Sequence, residues 1–327
     1  MTLLLQMRKM GSVPIFVALA LCADFVGAQD YPTKTIRIII PLTPGSGADI
    51  AGRIIAQRMN EHWKQPVIVE NRPGAGGQIG TAAVVKAEGD GHTLLVQSSS
   101  HSANPAIYKS LPYDPQRDLA DVAILGKTPY VMVTAANGPY KSLKALIDAA
   151  KAKPGAIPFA SAGIGTSTHL AAEYAVGLAG LRMIHVPFKG SPDAIQDVLG
   201  GRSSFYMAPI NVGMGLVRDG KLTALGVSTR NRAEVMPEVP TLAEQGLHNY
   251  DMTLWFGMWA PSSTPLPIVQ KLNAAINAIV LEPIVKEQFA KLGIQPSPMK
   301  TDDFAKFVRS EIEVYRKIVR AANIPQQ

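Results

Sequence analysis

Three times in this chain an apolar run passes through a glycine loop and leaves it as a helical pattern. The stretches are "RIIIPLTPGSGADI" (37–50), "VIVENRPGAGGQIG" (67–80) and "PFASAGIGTSTH" (158–169). A strand that turns at once into a helix points to layered α/β architecture rather than a sandwich or a helix bundle. The alternation continues along the chain. Strands are predicted at 36–41, 66–70, 93–97, 121–126, 130–135, 157–161, 183–186, 204–208, 222–228 and over "TLWFGMWAP" (253–261). Helices are predicted at 47–63, 78–87, 142–152, 166–178, 191–200, 211–219, 265–280, 282–292 and 301–322, with a shorter helical piece at 104–109.

Two segments read as joins between domains. "GKTPYVMVTAANGPY" (126–140) carries Pro and Gly on both sides of a strand, and "EVMPEVPTLAEQGLHNYDMTLWFGMWAPSSTP" (234–265) is Pro-rich and also ends in a strand. Two crossings imply a middle domain inserted into a discontinuous first one. Residues 29–132 with 254–327 would form domain 1 and 133–253 domain 2, with hinge strands near 130–135 and 253–260.

The glycine loops are not nucleotide loops. Ile50, Ile79 and Thr168 stand where the third glycine of a G-x-G-x-x-G fingerprint belongs, and no Gly-Lys-Ser/Thr ending of a P-loop follows. Each loop instead joins an expected strand end to a helix start. Helix N-termini expose unpaired N–H groups and partial positive charge, and glycine lets a ligand approach the backbone. With Thr43, Ser46, Thr166 and Ser167 adding hydroxyls, such loops can bind a carboxylate without Arg or Lys. The same residues equally suit tight βα turns, with Ser46 and Thr166 as caps. "QSSSHSANP" (97–105) places Ser98, Ser99, Ser100 and His101 at the end of a buried strand, where an α/β cleft forms.

Catalytic signatures are missing. There is no G-x-S-x-G elbow and no H-E-x-x-H, and the six histidines lack metal-ligand spacing. A triad could only assemble from distant residues such as Ser99, His169 and Asp49. His169 is expected instead to steady a loop from a helix's first turns, and Asp49 to serve as a first-turn acid.

The amino terminus reads as a secretory signal over 1–28. Arg8 and Lys9 precede an apolar stretch from Val13 to Leu21, and Val26-Gly27-Ala28 precedes Gln29, the expected new terminus. The single cysteine, Cys22, falls inside the signal, where lipidation would be an alternative fate. The mature chain of 299 residues then has no thiol for catalysis, disulfides or zinc, and no second stretch reaches the ~18 apolar residues of a membrane helix. Net charge falls from +7 to +6, because two cations and one anion leave with the signal. The cations are dispersed and without aromatic interleaving, which argues against nucleic acid and suits a protein that meets small anions.

The stretches "YPTKTIRIIIPLTPGSGADIAGRI", "QPVIVENRPGAGGQIGT", "DGHTLLV", "LPYDPQRDL", "FASAGIGTSTHLAAE", "HVPFKGSPDAIQDVLGG", "GKLTALGVSTRNR", "PEVPTLAEQGL" and "WFGMWAPSSTP" span nearly all of the mature chain. In them the chain resembles the periplasmic substrate-binding receptors of tripartite tricarboxylate transporters, the Bug-type family. The resemblance implies a two-domain α/β fold of the type II periplasmic-binding-protein class, with two crossing strands, closing like a flytrap. It implies a soluble periplasmic monomer that binds a small organic acid and hands it to membrane permease subunits. It implies no enzyme activity, cofactor, metal or nucleic acid. A secreted Ser/His hydrolase, or a ligand sensor for a signalling partner on the same fold, are the competing readings.

By the resemblance, loops 43–49 and 162–169 grip one ligand carboxylate from two sides. The implied ligand-binding residues are Thr43, Pro44, Gly45, Ser46 and Gly47; Ser98, Ser99, Ser100 and His101; Ala162, Gly163, Gly165, Thr166, Ser167 and His169; and Lys189, Gly190, Ala208 and Pro209. One departure bears on the ligand. Many family members carry an Asp-Asn pair where this chain has Ala208-Pro209, so an acid that could pair with a ligand amine is missing. The expected ligand is therefore wholly anionic, leaning to an aromatic dicarboxylate such as terephthalate or phthalate.

Overall fold

The computed structural model describes residues 31–327, so the expected signal at 1–28 lies outside the described residues. The described residues form nine strands and ten α-helices, largely in alternation. The first lobe contains β1 (Ile36–Ile40), α1 (Gly47–Trp63), β2 (Val67–Asn71), α2 (Gln78–Val85), β3 (Thr93–Ser98) and α3 (Ser100–Ile107). The long strand β4 (Leu119–Ala135) leads out of it. The second lobe contains α4 (Leu143–Ala152), β5 (Pro158–Ser161), α5 (Ser167–Leu178), β6 (Ile184–Pro187), α6 (Ser191–Leu199), β7 (Tyr206–Pro209), α7 (Ile210–Arg218) and β8 (Leu222–Val227). The chain returns through β9 (Thr253–Pro261) and ends in α8 (Leu266–Leu281), α9 (Pro283–Lys291) and α10 (Thr301–Ala321).

Two sheets share β4. In the first, β1 runs parallel to β2 and β3, while β9 lies antiparallel between β3 and β4. In the second, β5 is parallel to β6 and β7, and β4 is antiparallel to β7 and β8. The change of partner falls at one peptide: Pro129 pairs with Thr253, whereas Tyr130 pairs with Pro209. Proline cannot donate to a ladder, which favours a break in pairing there. Two separate strands at 121–126 and 130–135 are expected from that Pro/Gly punctuation, but the chain runs through as one strand that exchanges neighbours. Ser228 stitches the exchange. Its Oγ accepts the Tyr130 N–H at 2.8 Å and donates to the Met252 carbonyl at 2.7 Å.

The expected helical piece at 104–109 begins a turn earlier. Ser102 and Ala103 donate N–H bonds back to the Ser99 carbonyl, so α3 starts at Ser100 even though Pro105 lies inside it.

Burial explains the strand composition. Ile36, Ile38, Ile39 and Ile40 are all buried, as an interior parallel strand requires. Each contributes roughly 1.5–3 kcal/mol of burial free energy. Trp255 and Trp259 pack against Phe304 of α10 in the first lobe, while Val131, Val133, Ala160, Tyr206 and Ala208 fill the core of the second. α10 packs on α3 and extends to α5, where Ala322 lies close to Gly177.

Candidate ligand-binding cleft

The ends of both sheets meet where the lobes face one another. Helices α1, α3, α5, α6 and α7 all begin at this boundary. Their starts, Gly47, Ser100, Ser167 and Ser191 with Pro209 just before α7, line a single cavity of about 10 Å³, room for the centre of about one water molecule. Leu42, Leu254, Phe256 and Pro209 supply its apolar wall. No lining residue is ionisable. Five helix N-termini therefore direct positive potential into a space without a charged side chain, a field suited to an anion.

The first-lobe loop is fixed before any ligand is considered. Ser46 donates its hydroxyl to the Thr43 carbonyl at 2.7 Å, and Gly45, at φ +80°, donates its N–H to Asp49 Oδ2 at 2.9 Å. Arg53 and Asn71 hold the same carboxylate from the other side, at 3.0 and 2.9 Å. Burial by itself would raise the Asp49 pKa. The Arg53 bond, the Gly45 N–H, the Asn71 amide and the Arg53 charge outweigh it and hold the group below the usual range. Asp49 thus does more than complement the α1 dipole: it ties the loop to β2.

The second-lobe loop is built around hydroxyls. Ser161 Oγ accepts the Gly163 N–H at 3.0 Å, and Thr168 Oγ1 accepts the Ala162 N–H at 3.0 Å. Thr166 caps α5 by accepting the His169 N–H at 3.3 Å, and its hydroxyl donates to the Gly163 carbonyl at 2.7 Å. His169 Nδ1 accepts the Gly165 N–H at 3.3 Å, and its ring stacks on His185 at 3.8 Å. His185 also hydrogen-bonds Ser161. Burial, then the charge of His169, pushes its pKa down to about 3, so it supports the loop as a neutral ring.

Of the residues singled out in the sequence, Gly47, Ser98, Ser100, Ala162, Thr166, Ser167 and Pro209 line the cavity. Thr43 and Gly190 face each other at its edge, and a Cβ on Gly190 would overlap Thr43 Oγ1. Pro44 and Gly45 are exposed at the rim. Gly163 and Gly165, both at positive φ, shape the second loop, and Ser46 and His169 support the loops from behind. Ser99 turns toward the Tyr130 hydroxyl, 3.4 Å away.

Three further residues neither line the cavity nor shape its loops. His101 stacks on Trp259 at 4.2 Å inside the first lobe, where burial pushes its pKa down to about 3. Lys189 is exposed to solvent. Ala208 points into the core of the second lobe beside Val131. The distant triad does not assemble either: Ser99, His169 and Asp49 each bond other partners and none bonds another. Sequence reasoning missed Leu42, Ala48, Thr168, Ser191, Leu254 and Phe256, all of which line the cavity. The Gly190-Ser191-Pro192 helix start could have flagged Ser191; nothing local says which face of β9 looks into the cleft.

A model of the tripartite tricarboxylate transporter family receptor matches residues 51–324. The chain belongs to that family. Among its relatives, protein BugT of Bordetella pertussis is 36% identical over 315 residues, covering 96% of this chain and 97% of the relative. The structure of R. palustris Rpa4515 with adipate superposes with a TM-score of 0.88 at 28% identity, covering 91% of this chain and all of the other. The periplasmic binding protein BugD superposes with a TM-score of 0.86 at 27% identity, again over 91% of this chain and 100% of the other. The family is one of two-domain solute receptors, and this chain has its α/β fold.

Proposed function

We propose that the protein is a periplasmic receptor that captures a small organic carboxylate between its lobes and delivers it to the membrane subunits of a tripartite transporter. The observation that carries this reading is the convergence of five helix N-termini on a cavity lined by no ionisable side chain. The reading assigns residues 29–132 with 254–327 to one lobe and 133–253 to the other. Rotation occurs where β4 exchanges sheets and where β9 begins. A chain exported by the signal at 1–28 and acting as a soluble monomer, without catalysis, fits this role. The cavity admits little more than a water, so ligand enters as the lobes part and is enclosed as they return.

The ligand in this reading is a dicarboxylate, with a planar aromatic body as the preferred class. Phe256, Leu254 and Pro209 provide an apolar wall, and the lining offers no carboxylate to an ammonium group. The adipate named for the relative from R. palustris is a dicarboxylate as well. Calorimetry with terephthalate, adipate, benzoate, citrate and glutamate tests the reading. The dicarboxylates should bind more tightly than benzoate, and glutamate weakly. At a hundred times its dissociation constant the true ligand should add about 2.7 kcal/mol to stability. Glutamate as the tightest ligand would overturn the ligand class; no carboxylate binding at all would overturn the receptor reading.

A further inference from the structure

Two side chains cross the lobe boundary in opposite directions without lining the cavity. Tyr108, at the end of α3 in the first lobe, donates its hydroxyl to the Ile164 carbonyl at 2.8 Å. Asn211, in the first turn of α7 in the second lobe, donates its amide to the Gly47 carbonyl at 3.3 Å. Both accepting carbonyls belong to the backbone that carries the anion-facing N–H groups, since Gly47 opens α1 and Ile164 lies between Ala162 and Thr166.

The surroundings of the first contact are built for close approach. A Cβ on Gly165 would overlap the Tyr108 ring, and a Cβ on Gly76 would overlap the Ile164 carbonyl. Asn104 Nδ2 approaches the Gly76 carbonyl at 3.4 Å and steadies the facing loop. This gives the glycine loop at 74–77 a use: among the lining residues of the cavity none comes from it, yet it forms the surface on which Ile164 closes.

We infer that Tyr108 and Asn211 are positioning residues, a reciprocal pair of latches that set how fast ligand exchanges by holding the two gripping backbones together rather than by touching the ligand. The inference rests on the receptor reading for its effect on ligand exchange, but the latch itself acts on the lobes whether or not ligand is present. A hydrogen bond present only with the lobes apposed favours that arrangement over any open one. Losing it raises both the dissociation rate of an enclosed ligand and the share of free receptor that stands open to encounter.

The test compares the full mature chain with Tyr108→Phe and Asn211→Ala. With terephthalate and adipate as probes, each variant should speed dissociation about two- to tenfold, as expected for one neutral hydrogen bond. The observed association rate should rise as well, because more of the free receptor stands open, so affinity should change less than either rate. Small-angle scattering without ligand should show a compact wild type and a larger radius of gyration for the double variant. The denaturant midpoint of each variant should stay near wild type, separating a latch from a general packing defect. Unchanged dissociation rates would overturn the inference. If neither probe binds, the receptor reading is at fault, and scattering still decides the latch: a wild type with separated lobes, or a double variant as compact as wild type, overturns it.

Discussion

The Ser100 hydroxyl of the first lobe accepts the backbone N–H of Ser167 in the second at 2.9 Å, directly across the cavity. The same N–H opens α5, where it has no acceptor within the helix, and an anion could take it in place of the hydroxyl. Closure of the lobes and ligand binding therefore draw on one group, and a ligand oxygen that takes the Ser167 N–H replaces a protein contact.

Ser100→Ala should cost more than Ser46→Ala. Ser100 lines the cavity, and a hydroxyl that bonds a charged group contributes about 1.5–3 kcal/mol, a ten- to hundredfold change in affinity. The Ser46 hydroxyl is already bonded to the Thr43 carbonyl and acts only through loop shape, so its loss should cost about 0.5–1.5 kcal/mol. Calorimetry on both variants, with circular dichroism to confirm folding, checks the order. The reverse order would place the carboxylate on the Ser46 side.

Gly190→Ala should leave the fold intact and impair closure. Gly190 has an extended φ of 175°, so an added methyl strains no backbone, but it would overlap Thr43 Oγ1 of the facing lobe. Binding should weaken at least tenfold, on the order of 1.4 kcal/mol. Thr43→Ala in the same chain should restore part of the loss. A single variant that binds like wild type would show that Thr43 rotates aside freely.

Affinity for a dicarboxylate should be nearly flat between about pH 6 and 8, because carboxylates are already ionised there and no lining group titrates. Titrations across that range provide the check. Affinity climbing toward acid would reject a site gripped by uncharged donors.

Asp121→Asn should stabilise the protein at neutral pH. Burial pushes the Asp121 pKa up to about 6, although its bond from Trp259 Nε1, at 2.7 Å, and the Arg309 charge oppose the shift. The folded state thus binds the proton more tightly than the unfolded chain. That contribution is fully present below about pH 4 and is lost as pH rises to about 6. At pH 7 the ionised carboxylate costs on the order of 3 kcal/mol, which the amide avoids while still accepting from Trp259. Denaturant unfolding of both proteins at pH 4 and 7 measures this, and an equal gain at both pH values would reject the assignment to ionisation.

Some of this was legible in the chain and some was not. The βα turns at 43–47 and 163–166 are written in Gly, Ser and Thr because positive φ and helix capping are local demands, and both turns reach the cleft. His169 steadies its loop as its place in the first turn of α5 suggests. His101 lies only three residues past Ser98, but the turn into α3 sends its ring to Trp259, a partner 158 positions away in sequence. Ala208 and Pro209 are neighbours with opposite fates, since strand alternation puts one in the core and the other at the cavity.

The sequence by itself determined the alternation of strands and helices, the loops that expose helix N-termini, and the absence of nucleotide and elbow motifs, because each depends on residues close in the chain. Tertiary structure alone decided that β4 serves both sheets, that five helix starts converge on one uncharged cavity, and that Tyr108 and Asn211 meet backbone carbonyls of the opposite lobe. Those relationships join residues dozens to more than a hundred positions apart. Only the packing of the lobes fixes which of many chemically equivalent hydroxyls, amides and carbonyls come within bonding distance.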